Sequence, residues 1–218
     1  MNNTQQNSIN QNGKQILFRF LEENFPNTAE DLKQKIKKLT KLYFSVNAVI
    51  NISALRTEDD VYIKHYLDAL YPYKHFDGEC ADVGCGGGFP CLPLAIATGL
   101  SFFGIESVGK KLTLIKNCVD SKLVQNITPC HIRAEDLAKQ GKQFDTVCAR
   151  AVADTDKVLQ YCAPLTKPGG KIVLYKSQSE NPALQKTEIK LNVKLVELQD
   201  YTLPNTDIAR RLFIYAKR

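Results

Sequence analysis

Residues 81–90 read Ala81-Asp82-Val83-Gly84-Cys85-Gly86-Gly87-Gly88-Phe89-Pro90, and an apolar run, Cys91-Leu92-Pro93-Leu94-Ala95-Ile96-Ala97, follows at once. The pattern predicts a short buried strand, a glycine-rich bend and a helix. Glycines at a strand-to-helix bend let backbone N–H groups come close to a ligand that a Cβ would hold away. Gly84, Gly86 and Gly88 have the spacing G-x-G-x-G. The dinucleotide fingerprint G-x-G-x-x-G would put its third glycine on Phe89, and a ring there argues against NAD. Ser101-Phe102-Phe103-Gly104-Ile105-Glu106 reads as the next strand. Its terminal acid lies about 20 residues beyond the glycines, where a carboxylate meets ribose hydroxyls in such folds. A carboxylate suits two adjacent hydroxyls because it has two oxygens and only accepts.

The G-x-G-x-G loop with an acid ending the next strand resembles S-adenosylmethionine (SAM)-dependent methyltransferases. A second glycine pattern, Gly104-Ile105-Glu106-Ser107-Val108-Gly109-Lys110-Lys111, approaches the phosphate loop G-x-x-x-x-G-K-[ST]. Lys111 stands where the Mg²⁺-binding hydroxyl belongs, and Glu106 would repel phosphates, so nucleotide hydrolysis is a poor reading.

The 218 residues suffice for one α/β domain with a modest extension. At 44% hydrophobic and 24% charged, the composition is that of an ordinary soluble protein. No apolar run reaches membrane-span length. The polar start, Met1 to Ser8, lacks the apolar core of a secretory signal. The cysteines at 80, 85, 91, 118, 130, 148 and 162 contain no C-x-x-C. They point to a reduced, cytoplasmic protein without structural zinc or another metal. The net charge of +6 permits an anionic partner, and Lys33, Lys35, Lys37, Lys38 and Lys41 crowd one segment. For any one such cluster a solvated helix face is the commoner explanation.

Residues 1–12 read as a disordered tail. Residues 13–76 read as an N-terminal helical extension: one helix over 13–25, a second from a capping start at Thr28 to about Phe44, and a third capped by Thr57. Residues 77–218 read as the SAM-binding methyltransferase domain. Strands are expected near 79–84, 101–106, 126–132, 143–149 and 171–176, with helices near 91–98, 109–123 and 154–163. Pro168-Gly169-Gly170 reads as the turn into the fifth strand. Strict β/α alternation implies a doubly wound, mostly parallel sheet. Val193 to Leu203 and Arg211 to Lys217 read as an antiparallel pair closing one edge. The fold class is α/β, of the Rossmann-like class I methyltransferase type.

Ligands in such sheets bind beyond the carboxyl ends of the strands. The loops there carry Gly84, Gly86, Gly88 and Phe89, then Glu106, Ser107 and Lys110, then Arg133-Ala134-Glu135-Asp136, then Arg150, then Lys176 and Ser177. Arg150 ends an apolar strand between alanines, so it needs a partner, or it buries its stem and reaches solvent. Its loop faces the cofactor by topology, which favours a site role.

The whole chain after residue 13 is similar to the ribosomal RNA small-subunit methyltransferase G family, also called glucose-inhibited division protein B. Asn47-Ala48-Val49-Ile50-Asn51-Ile52-Ser53-Ala54 resembles the family's N-x-x-x-N-L-[ST]-[AS], and His65-Tyr66-Leu67-Asp68-Ala69-Leu70 its H-x-x-D-S-L. The glycine loop continues as F-P-x-x-P, like D-[VI]-G-[ST]-G-x-G-[FL]-P-G-[IL]-P-L. Glu106-Ser107 with Lys110-Lys111, Ala134-Glu135-Asp136, Ala149-Arg150-Ala151 and Arg211-Leu212 complete the match. Cys91 and Ser177 stand where the family has glycine, and Ala69 where it has serine. The resemblance implies SAM contacts at Gly84, Phe89, Ala134, Glu135 and Arg150, and methyl transfer to N7 of one guanosine in 16S rRNA of the small ribosomal subunit. Gly86, Gly88 and Glu106 join the cofactor set from the loop pattern. Arg150 is the candidate orienting group in catalysis, and Lys110, Lys176 and Arg211 are candidate RNA contacts. Guanine N7 carries no proton, so its methylation needs no general base. Alignment and electrostatics suffice. A monomer is expected. The competing readings are a SAM-dependent enzyme acting on a small molecule or protein, a non-enzymatic SAM-binding module, and an NAD oxidoreductase.

Overall fold

Cys80–Val83, buried along its whole length, forms β1 at the centre of the sheet. The computed structural model describes residues 12–218, so the tail expected over 1–12 lies outside the described residues except for Asn12. The other strands are β2 (Phe102–Glu106), β3 (Ile127–His131), β4 (Phe144–Arg150), β5 (Thr166–Lys176), β6 (Val193–Thr202) and β7 (Ala209–Lys217). They form one seven-stranded sheet in the order β3-β2-β1-β4-β5-β7-β6. β1 to β5 pair in parallel, and β7 runs antiparallel to both β5 and β6. The expected doubly wound sheet with an antiparallel terminal pair is therefore present. β1 lies between β2 and β4, so strand order reverses at β1. That crevice is where open α/β sheets bind ligands.

Three helices precede the sheet: α1 (Gly13–Asn24), α2 (Ala29–Ile50) and α3, spanning 58–70 with a π-helical stretch at Val61–Leu67. Asn12 caps α1 through a reciprocal box with Gln15, at 3.0 and 3.2 Å. Thr57 caps α3, its Oγ1 accepting from the Asp60 N–H at 3.2 Å. Thr28 makes no side-chain cap on α2. Glu30 and Asp31 in the first turn supply negative charge at that terminus instead. α2 also runs past Phe44 to Ile50, since Val46 and Asn47 continue its buried stripe.

Helices cover both faces of the sheet. α1–α3 join α4 (Cys91–Thr98) and α5 (Thr113–Asp120) over one core that runs from Leu17 and Tyr43 to Phe102 and Ile214. α6 (Ala134–Lys139), α7 (Thr155–Cys162) and α8 (Gln185–Leu191) cover the other, built on Val83, Val147, Leu159 and Phe213. The N-terminal helices thus share one apolar core with the sheet. α6 and α8 are not foreseen from the sequence. Each buries a single residue, Ala134 or Thr187, and so carries no apolar period. β5 begins five residues early because Pro168-Gly169-Gly170 lies within the strand. The register with β4 jumps there, from Phe144 opposite Thr166 to Thr146 opposite Lys171. Among the described residues no helix is long and apolar enough to cross a membrane.

One buried hydrogen bond ties α3 to the sheet: the Tyr175 hydroxyl donates to the Ala69 carbonyl at 2.9 Å. Tyr175→Phe should lower the unfolding free energy by about 1–2 kcal/mol, because it strands a buried acceptor. Urea denaturation with an unchanged m-value measures this. A midpoint equal to wild type would show the bond to be energetically neutral.

Candidate active site

Two cavities open at the carboxyl ends of the central strands, one on each side of the loop after β4. The first, about 190 Å³, is walled by Gly84, Glu106, Ser107, Ala134, Glu135 and Val152, with Tyr161 from α7. Gly84 has φ +69°, and a Cβ there would stand 2.8 Å from Val152 Cγ2, so only glycine fits this close approach. Glu106 is buried and already oriented. One oxygen accepts from the Val108 N–H at 2.9 Å and the other from the Gly86 N–H at 3.2 Å. A carboxylate offers about four lone-pair sites; the Ser107 hydroxyl at 3.5 Å and the Lys111 ammonium at 3.9 Å make only long contacts to it, which a pair of ligand hydroxyls would displace. An acceptor held in this way fits the ribose hydroxyls of an adenosine-bearing cofactor.

The structure brings Gly84, Glu106, Ala134 and Glu135 together in that wall. Gly86 supports it by holding Glu106. Gly88 and Phe89 lie elsewhere. A Cβ on Gly88 (φ +98°) would meet Leu92 and Ile115, so this glycine lets the bend pack on α4 and α5. The Phe89 ring is buried and stacks on His65, with centroids 4.1 Å apart and planes 6° apart. It joins the loop to the N-terminal helices.

The second cavity, about 420 Å³, is lined by Ser53, His65, Asp68, Arg150, Lys176, Glu180 and Arg210 among others. Arg150 falls here. Its guanidinium donates to the Lys64 carbonyl at 3.0 Å, to Asp68 Oδ2 at 3.1 Å and to His65 Nδ1 at 3.2 Å. Arg210 donates to the other Asp68 oxygen at 3.1 Å. Because arginine only donates, His65 Nδ1 is an acceptor, so its Nε2 carries the proton and faces Ser53 Oγ at 3.0 Å. Burial, with the Arg150 charge second, pushes the His65 pKa down to about 3. The ring is neutral and fully committed, so it is not available as a base. The Asn47–Ser53 segment explains itself here. Asn47 Oδ1 accepts the Ser53 N–H at 3.0 Å and fixes the turn that presents Ser53 to His65.

The candidate RNA contacts separate. Lys110 is exposed beside the Glu106 loop. Lys176 is buried and donates to the Ala153 carbonyl at 2.6 Å and to Glu180 at 2.7 Å, so its charge is answered inside the protein. Arg211 grips Asp200 at 2.6 and 2.7 Å and donates to the Glu180 carbonyl at 3.0 Å. Asp68, Arg210 and Tyr161 escape a search by strand-end loops: Asp68 and Tyr161 sit on helices and Arg210 on a terminal strand. Glu180 lies in the loop after β5, three residues beyond Ser177, and is passed over there. The H-x-x-D spacing of His65 and Asp68 is the one signal that could have singled out Asp68. Among the described residues no group of three or more His, Cys, Asp or Glu side chains is placed to hold a metal.

The family model for rRNA small subunit methyltransferase G, GidB, matches residues 32–212. The chain belongs to this family. Relatives of that name include the protein of Lactobacillus acidophilus, 33% identical over 94% of this chain and 91% of its own length. That of Staphylococcus aureus is 30% identical over 91% and 87%. Membership makes the chain a methyltransferase of small-subunit ribosomal RNA. Solved structures with the same fold include TrmN from Thermus thermophilus, with a TM-score of 0.53, 15% identity and coverage of 78% of this chain and 52% of that one. M. jannaschii TYW2, solved in complex with AdoMet, has a TM-score of 0.52, 17% identity and coverage of 68% and 74%. These two likenesses show the fold alone.

Beneath the glycine loop, Asp82 is fully buried. Its Oδ2 accepts from the Cys91 N–H at 3.1 Å and its Oδ1 has no partner. Burial raises its pKa from 3.8 to about 6. An acid with a raised folded pKa holds its proton longer in the native state. Its stabilising contribution is therefore full below pH 3.8 and is lost as pH rises through about 6. Asp82→Asn should abolish this slope, worth up to about 2–3 kcal/mol. Denaturation at pH 4 and pH 7, scored as wild type minus variant, measures it. Parallel pH profiles would place the raised titration elsewhere.

Proposed function

We propose that this chain binds SAM in the smaller cavity and transfers its methyl to N7 of a guanosine in 16S rRNA whose base enters the larger one. The observation that carries this reading is the pairing of the two cavities across the Ala151–Ala153 loop. One holds an oriented carboxylate that can accept the hydroxyls of an adenosine-type cofactor. The other is cationic, and its one imidazole is neutral and already hydrogen-bonded. When bound, SAM supplies an electrophilic methyl on its sulfonium.

The chain's own groups then bind and orient. Glu106 receives the ribose hydroxyls, and Gly84 gives the backbone room to approach. Ala134 and Glu135 flank the adenine. Arg150 retains its Nε–H and one further N–H without protein partners among the described residues, and offers them to the substrate base. His65 is neutral and occupied, which suits a nucleophile that loses no proton. Phe89 acts from behind, holding His65. Residues 77–218 bind the cofactor, and residues 13–76 complete the substrate cleft. Lys110 and the lysines of α2 meet phosphate, where Lys33 and Lys35 are already partly answered by Glu22, Glu30 and Asp31. The enzyme works as a monomer in the cytoplasm.

Glu106→Ala should weaken SAM binding by about 1–3 kcal/mol, the loss expected for hydrogen bonds to a charged acceptor. Calorimetry reads it, and unchanged affinity would remove the cofactor from this cavity. The product is tested by reduction and aniline scission of 16S rRNA from cells with and without the enzyme, which should reveal a single methylated guanosine. Arg150→Lys keeps the charge and loses the planar fork that reaches Asp68, His65 and Lys64 together. It should be nearly as inactive as Arg150→Ala, with SAM affinity retained in both. Activity near wild type in Arg150→Lys would reduce Arg150 to a point charge. Methyl on an exocyclic amine, a pyrimidine carbon or protein would overturn the N7 assignment.

A further inference from the structure

The larger cavity is mostly cationic, yet it holds one carboxylate that is not consumed by the protein. Asp68 spends both oxygens on Arg150 and Arg210. Glu180 does not. Lys176 takes its Oε2 at 2.7 Å, and Oε1 accepts no hydrogen bond among the described residues. Glu180 is nonetheless held firmly. The Arg211 guanidinium binds its carbonyl at 3.0 Å while gripping Asp200. Its N–H donates to the Ser177 carbonyl at 3.1 Å. Lys176, buried, bridges its carboxylate to the Ala153 carbonyl, on the loop between the two cavities. A cavity that received only phosphate would gain nothing from an acid with a free oxygen, because the acid would repel the ligand. An acceptor held in this way suits a ligand that presents donors.

We infer that Glu180 reads the target base by accepting from N1–H and N2–H of guanine. This rests on the N7 reading above and deepens it. Guanine carries those two donors side by side on its Watson–Crick edge, while N7 lies on the opposite edge of the purine. An acid on the first edge leaves N7 facing away, toward the cofactor side. Oε1 is free, and Oε2 has a second lone pair beyond the one given to Lys176, so the carboxylate can span both donors. Adenine presents an acceptor at N1 and would be repelled. Inosine keeps N1–H and loses the N2 donors.

The same contact favours reaction. The N7 lone pair forms the bond to the methyl carbon as the carbon–sulfur bond breaks, its electron pair remaining on sulfur. No proton leaves, and the purine gains a positive charge. That charge makes N1–H a stronger donor, so its bond to Glu180 strengthens on the way to the transition state. Lys176 and Arg211, which look like RNA contacts from sequence, are in this view positioning residues for Glu180.

The test uses small ribosomal subunits reconstituted with 16S rRNA bearing guanosine or inosine at the methylated position. Wild type should prefer guanosine by roughly tenfold or more in kcat/KM, since an analogue lacking the donor leaves a carboxylate oxygen unpaired. Glu180→Gln is nearly isosteric and keeps an acceptor for Lys176. It should lose roughly 10–100-fold on guanosine, with the guanosine-to-inosine ratio falling toward one and SAM affinity unchanged; melting temperature should fall because buried Lys176 loses its charged partner, a change that does not alter a ratio between two substrates. A wild-type ratio near one overturns the inference, as does a wild-type ratio retained in the variant or an equal loss on both substrates. Should the variant be too slow to score, the wild-type ratio alone decides. If wild type makes no 7-methylguanosine on the unaltered subunit, the N7 reading itself has failed, and scission mapping reports that separately.

Discussion

The Asp68 carboxylate is 3% exposed and shared by two guanidinium groups, those of Arg150 and Arg210. Burying a carboxylate costs several kcal/mol, and removing one partner of such a group leaves a charge uncompensated, at about 3–5 kcal/mol. The three residues come from α3, β4 and β7, so one ionic contact joins the N-terminal helices, the middle of the sheet and its late hairpin. His65, a few residues before Asp68 on the same helix, adds a neutral acceptor to Arg150. Phe89 stacked on that ring brings the glycine bend into the same assembly. The wall of the larger cavity is therefore one electrostatic unit. Its shape depends on helices that lie outside the sheet altogether.

The smaller cavity depends on the backbone instead. Gly84 makes room and Glu106 takes backbone N–H groups from both sides of the loop, which holds the acid in place. Below it, Asp82 ties β1 to the first turn of α4 through the Cys91 N–H. The buried acid keeps one oxygen without a partner, and the neighbouring Cys91 and Cys148 thiols offset only part of the cost of its burial. Rigid backbone on one side and an ion cluster on the other give the two cavities different kinds of stiffness.

The sheet and the wall of the smaller cavity were legible because both rest on local patterns. β1, the glycine bend and Glu106 sit within one short stretch, and their spacing is set by the crossover itself. The long amphipathic helices were legible through period, though α2 ran on past Phe44, where Val46 and Asn47 stay buried. The larger cavity was legible only in part. Arg150 stood out as a charge at the end of an apolar strand. Its partners come from residues 64–68, and Arg210 reaches the same cluster through Asp68; contacts between such distant positions leave no mark in local periodicity. Lys176 and Arg211 were visible as charges, but their internal partners Glu180 and Asp200 were not. A lysine bound for phosphate and one buried against a glutamate look alike in one dimension. Short helices such as α6 and α8 were invisible for want of a buried face.

β7 lies between β5 and β6, although β6 is made before it. The chain therefore passes outside the sheet and folds back into it. Until that happens β5 has an open edge, a template for pairing with other chains. Arg210 arrives with the returning strand. The wall of the smaller cavity draws on β1, β2 and the loop after β4, all made earlier. The last strand made is thus the one that covers the β5 edge and also the one that brings the second guanidinium to Asp68.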